Sequence, residues 1–457
     1  MTVADRSIPA SADLAIRTEA TGTLDPIAVY AAAVEAGLEA ALWLRPSEGF
    51  ALVGVGRAWA IEPEGPDRFA VAAAAWDRAI DGLTPAGELP RGIGPVLMGG
   101  LGFTGRRPAD DDVWSSFGAA SLVLPEWIAA RTGAGSWLTM TTAAAATAAG
   151  IRRWERVLAR ARELGHAPGA LVARPVSAPL SIVHERPDET LWRRTVGLFA
   201  GAVGRGRIDK VVLARRVILA SPADLDVENA LRRLVAGAPE STVFAFRRDG
   251  RTFLGATPER LIRTDGRAFQ TVAIAGSVAR GPDSAADAEL AAALLASEKD
   301  REEHSVVVAA IRERLAPLCD ELRIEREPRV LPLRTVQHLI TEIEGTVRER
   351  AGLLALAERL HPTPAVGGEP RDIALALIDE HEGFERGWYA GPVGWLGADG
   401  DGELMVALRS GIVDRTRATL FAGCGIVADS DPELEWEESR MKLRALASAL
   451  GRPGDEP

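Results

Sequence analysis

The chain has 457 residues, 47% of them hydrophobic, with a net charge of −11 and two cysteines. That length and apolar content supply a sizeable core for one large domain or two ordinary ones. The negative balance argues against nonspecific binding to nucleic acid or acidic membranes, and Cys319 and Cys424 are too few for a disulfide framework or a Cys-rich zinc site.

The opening residues, Met1 to Arg6, lack the basic and apolar regions of a signal peptide, and no apolar run reaches membrane-spanning length. A soluble cytoplasmic chain is therefore expected. Residues 1–25 are small and polar without a clear period and read as a loose arm, with the fold starting near Pro26. Short apolar runs at 41–44, 50–55 and 59–61, separated by turn residues, predict an antiparallel meander, and residues 69–80 predict a helix. Gly100-Leu101-Gly102-Phe103-Thr104-Gly105 has dinucleotide-binding spacing, but Arg106-Arg107-Pro108 follows where that motif needs a helix. The glycines are read as permitting tight β-packing. Residues 143–164 predict a helix ending at Gly165.

Four prolines between His166 and Asp188 mark a crossover between two halves, about 26–165 and 188–450. Asp188 is placed to cap a helix over 191–203, a strand is expected over 208–220, and Asp249-Gly250 and Asp265-Gly266 are hairpin turn pairs. Residues 297–311 read as one helix on which Asp300, Glu303, Val307 and Ile311 form a stripe, so two carboxylates lead an apolar face. A second meander spans 388–427, and a final helix over 433–450 repeats the stripe with Glu435, Glu438, Lys442 and Leu446; residues 451–457 are left as a tail. Spacing alone favours two solvated faces. If the helices meet, four carboxylates converge, and a hard divalent cation such as Mg²⁺ is the natural neutraliser. Two strand-rich halves with flanking helices predict an α+β fold of large antiparallel sheets packed together with helices outside, as a single large domain over 26–450.

Single residues remain ambiguous when read alone. Lys210 at a strand entry is an edge lysine or a base; Glu259 after Thr257-Pro258 is a turn carboxylate or an acid. His338 in an apolar run is a core histidine or a site residue. Arg409 suits bidentate carboxylate binding or a sheet edge, and Gly423-Cys424-Gly425 offers backbone N–H groups or a bulge.

Taken together and in order, these motifs resemble the chorismate-utilising enzymes: isochorismate, salicylate, anthranilate and aminodeoxychorismate synthases. The resemblance runs over about 191–450 and rests on Lys210-Val211-Val212-Leu213-Ala214-Arg215, Ala256-Thr257-Pro258-Glu259-Arg260-Leu261, Ala273-Ile274-Ala275-Gly276-Ser277, the acidic stretch from Ser297 to His304, and Val336-Gln337-His338-Leu339. It continues through His361-Pro362-Thr363-Pro364-Ala365-Val366-Gly367-Gly368, Trp388-Tyr389-Ala390-Gly391, Ala407-Leu408-Arg409 and the run from Gly423 to Lys442. The first half is similar in style only.

The resemblance implies an isomerase that binds chorismate and Mg²⁺, without nucleic acid, membrane or an obligatory protein partner, as a monomer. Glu303 and Glu438 would bind the metal directly, and Asp300 and Glu435 would hold its water ligands. Arg409, Tyr389 and the backbone at Gly423 and Gly425 would hold the enolpyruvyl carboxylate. His338 would line the ring, with Gly276, Ser277 and Lys442 completing the substrate site. Lys210 would be the general base that activates water and Glu259 the acid that protonates the departing C4 hydroxyl. Lysine at 210 separates water-using members from the glutamine-bearing ammonia users, and Ala275 stands where one aminodeoxychorismate synthase type has a nucleophilic lysine. Isochorismate synthase is thus the expected activity, destined for menaquinone or siderophore biosynthesis. Salicylate synthase is the runner-up, and a non-catalytic metabolite-binding descendant is the reading of another class.

Overall fold

The computed structural model of the protein describes residues 15–81, 89–142, 147–166, 179–349 and 351–453. Its architecture is two large antiparallel β-sheets packed face to face, with helices outside. The first sheet has thirteen strands among the described residues and runs from Ala15–Thr21 at one edge, through Phe50–Val55, Ala40–Arg45, Thr242–Arg248, Arg251–Thr257, Ser410–Asp414 and Arg417–Ile426, to Lys210–Ala220 and Pro179–Arg186. The second has ten and includes Val336–Val347, Ala268–Ala279, Arg260–Asp265, Gly402–Val406, Pro392–Gly397, Val96–Leu101 and Ala120–Leu124. Both halves of the chain contribute strands to both sheets.

Strand periodicity explains the layering. In Ala40–Arg45 and Thr242–Arg248, Trp43, Phe244 and Phe246 point into the core shared with Leu97, Ile262 and Trp395 of the other sheet. Their neighbours Leu42, Leu44, Val243 and Ala245 point the opposite way, against a second core formed with helices Pro26–Glu35, Val227–Gly237 and Pro432–Leu450. Burying both faces of the first sheet turns its strands into near-continuous apolar runs, such as Ala40–Arg45, buried from Ala40 to Leu44. Each fully buried tryptophan, Trp43, Trp76 and Trp395 among them, contributes about 2–3 kcal/mol of hydrophobic stabilisation.

Most expected elements form. Asp188 caps the helix Glu189–Gly204 by accepting from the Leu191 N–H at 2.8 Å, and Asp249-Gly250 turns its hairpin; the second hairpin turns one residue later than expected, at Gly266-Arg267, with Asp265 still paired to Ala268. Gly100 sits in a strand where an added Cβ would lie 2.6 Å from the Trp388 ring, which bears out the tight β-packing.

Several boundaries differ. Within the arm assigned to 1–25, Ala15–Thr21 is an edge strand bound to Gly135–Thr142; it pairs through its backbone, so its side chains carry no core period. The crossover at 166–188 contains the strand Pro179–Arg186, and the tail after 450 begins with Arg452–Pro453 alongside it. Residues 1–14, 143–146, 167–178 and 454–457 of those readings lie outside the described residues. Neither meander stays in one sheet. Trp59–Ile61 crosses to pair with Ala120–Leu124, and the 388–427 strands divide after Val406, because turns here pass the chain from one layer to the other.

Candidate active site

Two such crossings build one wall of the site. Residues 258–259 join Arg251–Thr257 in the first sheet to Arg260–Asp265 in the second, and residues 407–409 carry the chain back from Gly402–Val406 to Ser410–Asp414. They lie side by side. The Thr257 hydroxyl donates to the Val406 carbonyl at 2.6 Å, the Val406 N–H donates to the Glu259 carbonyl at 2.9 Å, and the Ala256 N–H donates to the Arg409 carbonyl at 3.4 Å. Glu259 and Arg409 are thereby presented together. Arg409 has φ 51°, the left-handed region, a strained conformation for a side-chain-bearing residue and one that commonly marks a functional position.

These two residues open onto a cleft with about 710 Å³ of space outside protein atoms, part of it open to solvent. Lys210, Glu259, Gly276, Ser277, Glu303, His338, Tyr389, Arg409, Gly423, Gly425, Glu438 and Lys442 all line it. Asp300 and Glu435 stand behind this lining.

Lys210 is buried at the start of the strand Lys210–Ala220, and its Nζ lies 2.9 Å from Glu303 Oε1. It is not an exposed edge lysine. The strand's antiparallel neighbour carries Gly425 opposite Val212, where an added Cβ would lie 2.2 Å from that same Glu303 oxygen and 2.6 Å from Lys210 Cε. Only glycine leaves room for the pair.

Glu259 is 3% exposed, and burial pushes its carboxyl up to about 7, against the pull of Lys210, Lys442 and Arg409. A carboxyl so placed carries a proton for part of the time at neutral pH.

His338 accepts at Nε2 from Arg409 Nη2, 2.8 Å away. Burial, with Arg409 and Lys442 nearby, depresses its pKa to about 3, so the ring is neutral. Since Nε2 accepts, the proton sits on Nδ1, which lies 3.1 Å from the Gly276 carbonyl and 3.0 Å from the Ser277 hydroxyl. Gly276 is the extra residue of a bulge between Ala275 and Ser277, at φ 74°, and that bulge turns its carbonyl toward the imidazole. Tyr389 stacks on Phe421 with centroids 5.2 Å apart, and burial raises its phenol to about 12, keeping the hydroxyl as a donor.

The two acidic stripes, which spacing alone favoured as solvated faces, are turned toward the cleft. Ser297 caps the helix Glu298–Leu315 and its hydroxyl donates to Asp300; Val307 and Ile311 are buried, while Glu298 and Glu302 are solvated. The helix Pro432–Leu450 brings Glu435 and Glu438 inward. The acids and lysines interlock: Lys210 meets Glu303, Lys299 Nζ lies 3.2 Å from Glu435 Oε1, and Lys442 pairs with Glu438 while donating to the Gly423 carbonyl at 2.8 Å. Burial and the neighbouring Glu438 push Glu435 up to about 7. Burial would also raise Glu438, but Lys442 outweighs it and holds that carboxyl low. Burial likewise raises Asp300.

The grouping differs from the expected set in one respect. Among the described residues, the potential ligand atoms that lie within 4.8 Å of one another belong to Cys424, Glu435 and Glu438, without Asp300 or Glu303, the latter held by Lys210. Burial pushes the Cys424 thiol well above its ordinary range, so it stays protonated and donates to the Glu435 carbonyl at 3.3 Å. A protonated thiol is a poor partner for a hard cation, and the oxygen donors alone fit Mg²⁺. Lys299 escaped the sequence reading because it falls off the inward stripe. Arg386 did so because its role depends on tertiary contacts: buried with Glu382, it donates to the Val366 and Val212 carbonyls at the cleft.

A profile of the family described as chorismate binding enzyme matches residues 5–451. Isochorismate synthase MenF of Bacillus subtilis is 35% identical over 368 residues, 79% of this chain and 75% of the relative. The salicylate biosynthesis isochorismate synthase of Pseudomonas aeruginosa is 37% identical over 449 residues, 94% of this chain and 89% of the relative. Among solved structures, the menaquinone-specific isochorismate synthase MenF of Escherichia coli superposes with a TM-score of 0.76 at 26% identity, covering 96% of this chain and 94% of that one. Anthranilate synthase component I from Streptococcus pneumoniae, at 20% identity and a TM-score of 0.70 over 87% of this chain and 92% of that one, shares the fold. The chain belongs to the chorismate binding enzyme family.

Proposed function

We propose that the protein is an isochorismate synthase, which adds water at C2 of chorismate and expels the C4 hydroxyl. The observation that carries this reading is the placement of Lys210 and Glu259 in one cleft, with Glu259 buried and able to hold a proton near neutrality. An acid with a pKa close to the working pH is suited to protonating a leaving hydroxyl. Lys210 is the base that takes the proton from the attacking water. Arg409 and Tyr389 hold the enolpyruvyl carboxylate with the N–H groups near Gly423 and Gly425, His338 packs beside the ring, and Gly276, Ser277 and Lys442 complete the pocket. Ala275 in the lining supports water, not a lysine, as nucleophile.

The donor set supports Mg²⁺ as cofactor, with Glu303 and Glu438 as direct ligands and Asp300 and Glu435 acting through water. When bound, the ion supplies positive charge for the ring carboxylate of a dianionic substrate. We read 26–450 as one domain, on the support of strands from both halves alternating in both sheets. No helix among the described residues is long and apolar enough to cross a membrane; a cytoplasmic monomer remains our reading.

The test is incubation of purified protein with chorismate and Mg²⁺, with chromatography of the products. Isochorismate as the main product is expected. Salicylate plus pyruvate would establish salicylate synthase instead, and no turnover would favour a binding protein.

A further inference from the structure

The lysines that neutralise the acidic cluster are not equivalent. Lys210 has 1% of its side chain exposed and is closed in by Gly425, so it has nowhere to go. Lys442 sits one helical turn from Glu438 and is also held by the Gly423 carbonyl. Lys299 is different. It stands on the first turn of its helix with a third of its side chain exposed, and its Nζ reaches across to Glu435 on the facing helix, whose own side chain is 3% exposed. The Glu435 carboxylate also takes a bond from Ser430, so it stays anchored when the lysine departs.

Resting on the proposed metal reading, we infer that Lys299 is a built-in stand-in for the cation: it neutralises Glu435 in the ion-free protein, withdraws when a divalent ion binds, and so sets the affinity for that ion. Lys299 also lies within electrostatic reach of Glu303 and Asp300. Its single charge opposes a divalent ion approaching that cluster, while its four-carbon stem and exposed flank let the ammonium turn to water. Lys299 is a positioning residue here, since it acts on the metal through Glu435. The chain thus avoids collapse or repulsion among its acids before the ion arrives, and the ion has to compete for its place.

The experiment measures Mn²⁺ binding, as a spectroscopically visible substitute for Mg²⁺, by electron paramagnetic resonance on the full chain and its variants. Lys299→Met keeps the apolar stem and removes the charge. It should bind Mn²⁺ about three- to tenfold more tightly than wild type, the scale expected for losing one partly screened charge. Its melting temperature should fall in chelator and recover with Mn²⁺ by a larger step than wild type. Lys299→Arg, which retains charge, should keep the wild-type affinity. Lys299→Gln provides a second neutral variant should the methionine form fold poorly. Unchanged or weaker Mn²⁺ binding in the neutral variants, with wild type binding normally, would overturn this inference alone. Failure of wild type to bind Mn²⁺ would overturn the metal reading and this inference with it.

Discussion

Arg409 donates to His338 Nε2 across 2.8 Å, which fixes a neutral imidazole with its proton on Nδ1. One face of the cleft is therefore a single unit in which the bulge at Gly276 orients the histidine and the histidine orients the guanidinium. Arg409→Lys keeps the charge but loses the planar fork that can bond histidine and a carboxylate together. A drop in kcat/KM of about 10- to 100-fold, carried mainly by KM, is expected. Steady-state kinetics with chorismate will read it; an unchanged KM would remove Arg409 from substrate binding.

Glu259→Gln tests the acid. Loss of a positioned proton donor lowers kcat by about 10²–10⁴. The same substitution has a stability signature whose sign follows from the raised pKa of about 7. The native carboxyl favours folding fully below its unfolded value of about 4.3 and loses that contribution as pH rises through 7. Against wild type, the glutamine variant should therefore gain stability above pH 7, by an amount on the order of 3 kcal/mol at most. Urea melts at pH 5 and pH 8.5 would show it; equal differences at both would mean Glu259 is not buried in its charged form.

Lys210→Met removes the proposed base and strands Glu303 without its 2.9 Å partner. Breaking a buried pair from one side costs about 3–5 kcal/mol, so the ion-free variant should melt early. Added Mg²⁺ should restore much of that loss while turnover stays absent and chorismate binding persists by calorimetry. Undiminished turnover would rule out Lys210 as the base.

Gly425→Ala places a methyl 2.2 Å from Glu303 Oε1 and forces the carboxylate aside. Overpacking of this kind costs about 1–3 kcal/mol. The expected outcome is a parallel fall in Mg²⁺ affinity and kcat/KM with the fold retained by circular dichroism; a fully active variant would show that the close approach is incidental.

Chemistry and architecture were unequally legible in the sequence. Helical spacing placed Asp300 and Glu303 on one stripe with Val307 and Ile311 but by itself favoured a solvated face; it took the second acidic helix and the ordered motif set to point the stripe inward. It could not disclose Lys299, whose role arises only when a separate helix places Glu435 opposite it. Strands were visible as apolar runs, yet which sheet each joins was not: Trp59–Ile61 and Phe50–Val55 look alike in composition and lie in different layers. The edge strand Ala15–Thr21 was missed because backbone pairing leaves no apolar trace. His338 and Arg409 acquired meaning from the ordered motif set, since a buried histidine alone says nothing of its tautomer.

The paired crossings that carry Glu259 and Arg409 have a mechanical consequence. Three lateral hydrogen bonds clamp them into one bracket spanning both layers. Should the layers shear past one another, Glu259 and Arg409 would travel in step, keeping their mutual spacing. Lys210 lies on a strand of the first layer while its partner Glu303 rides on a helix packed against the second, so that ion pair would be the spacing that changes. Substitutions at Thr257 that sever the clamp should loosen this mechanical coupling even though its hydroxyl contacts no reactant in the proposed chemistry.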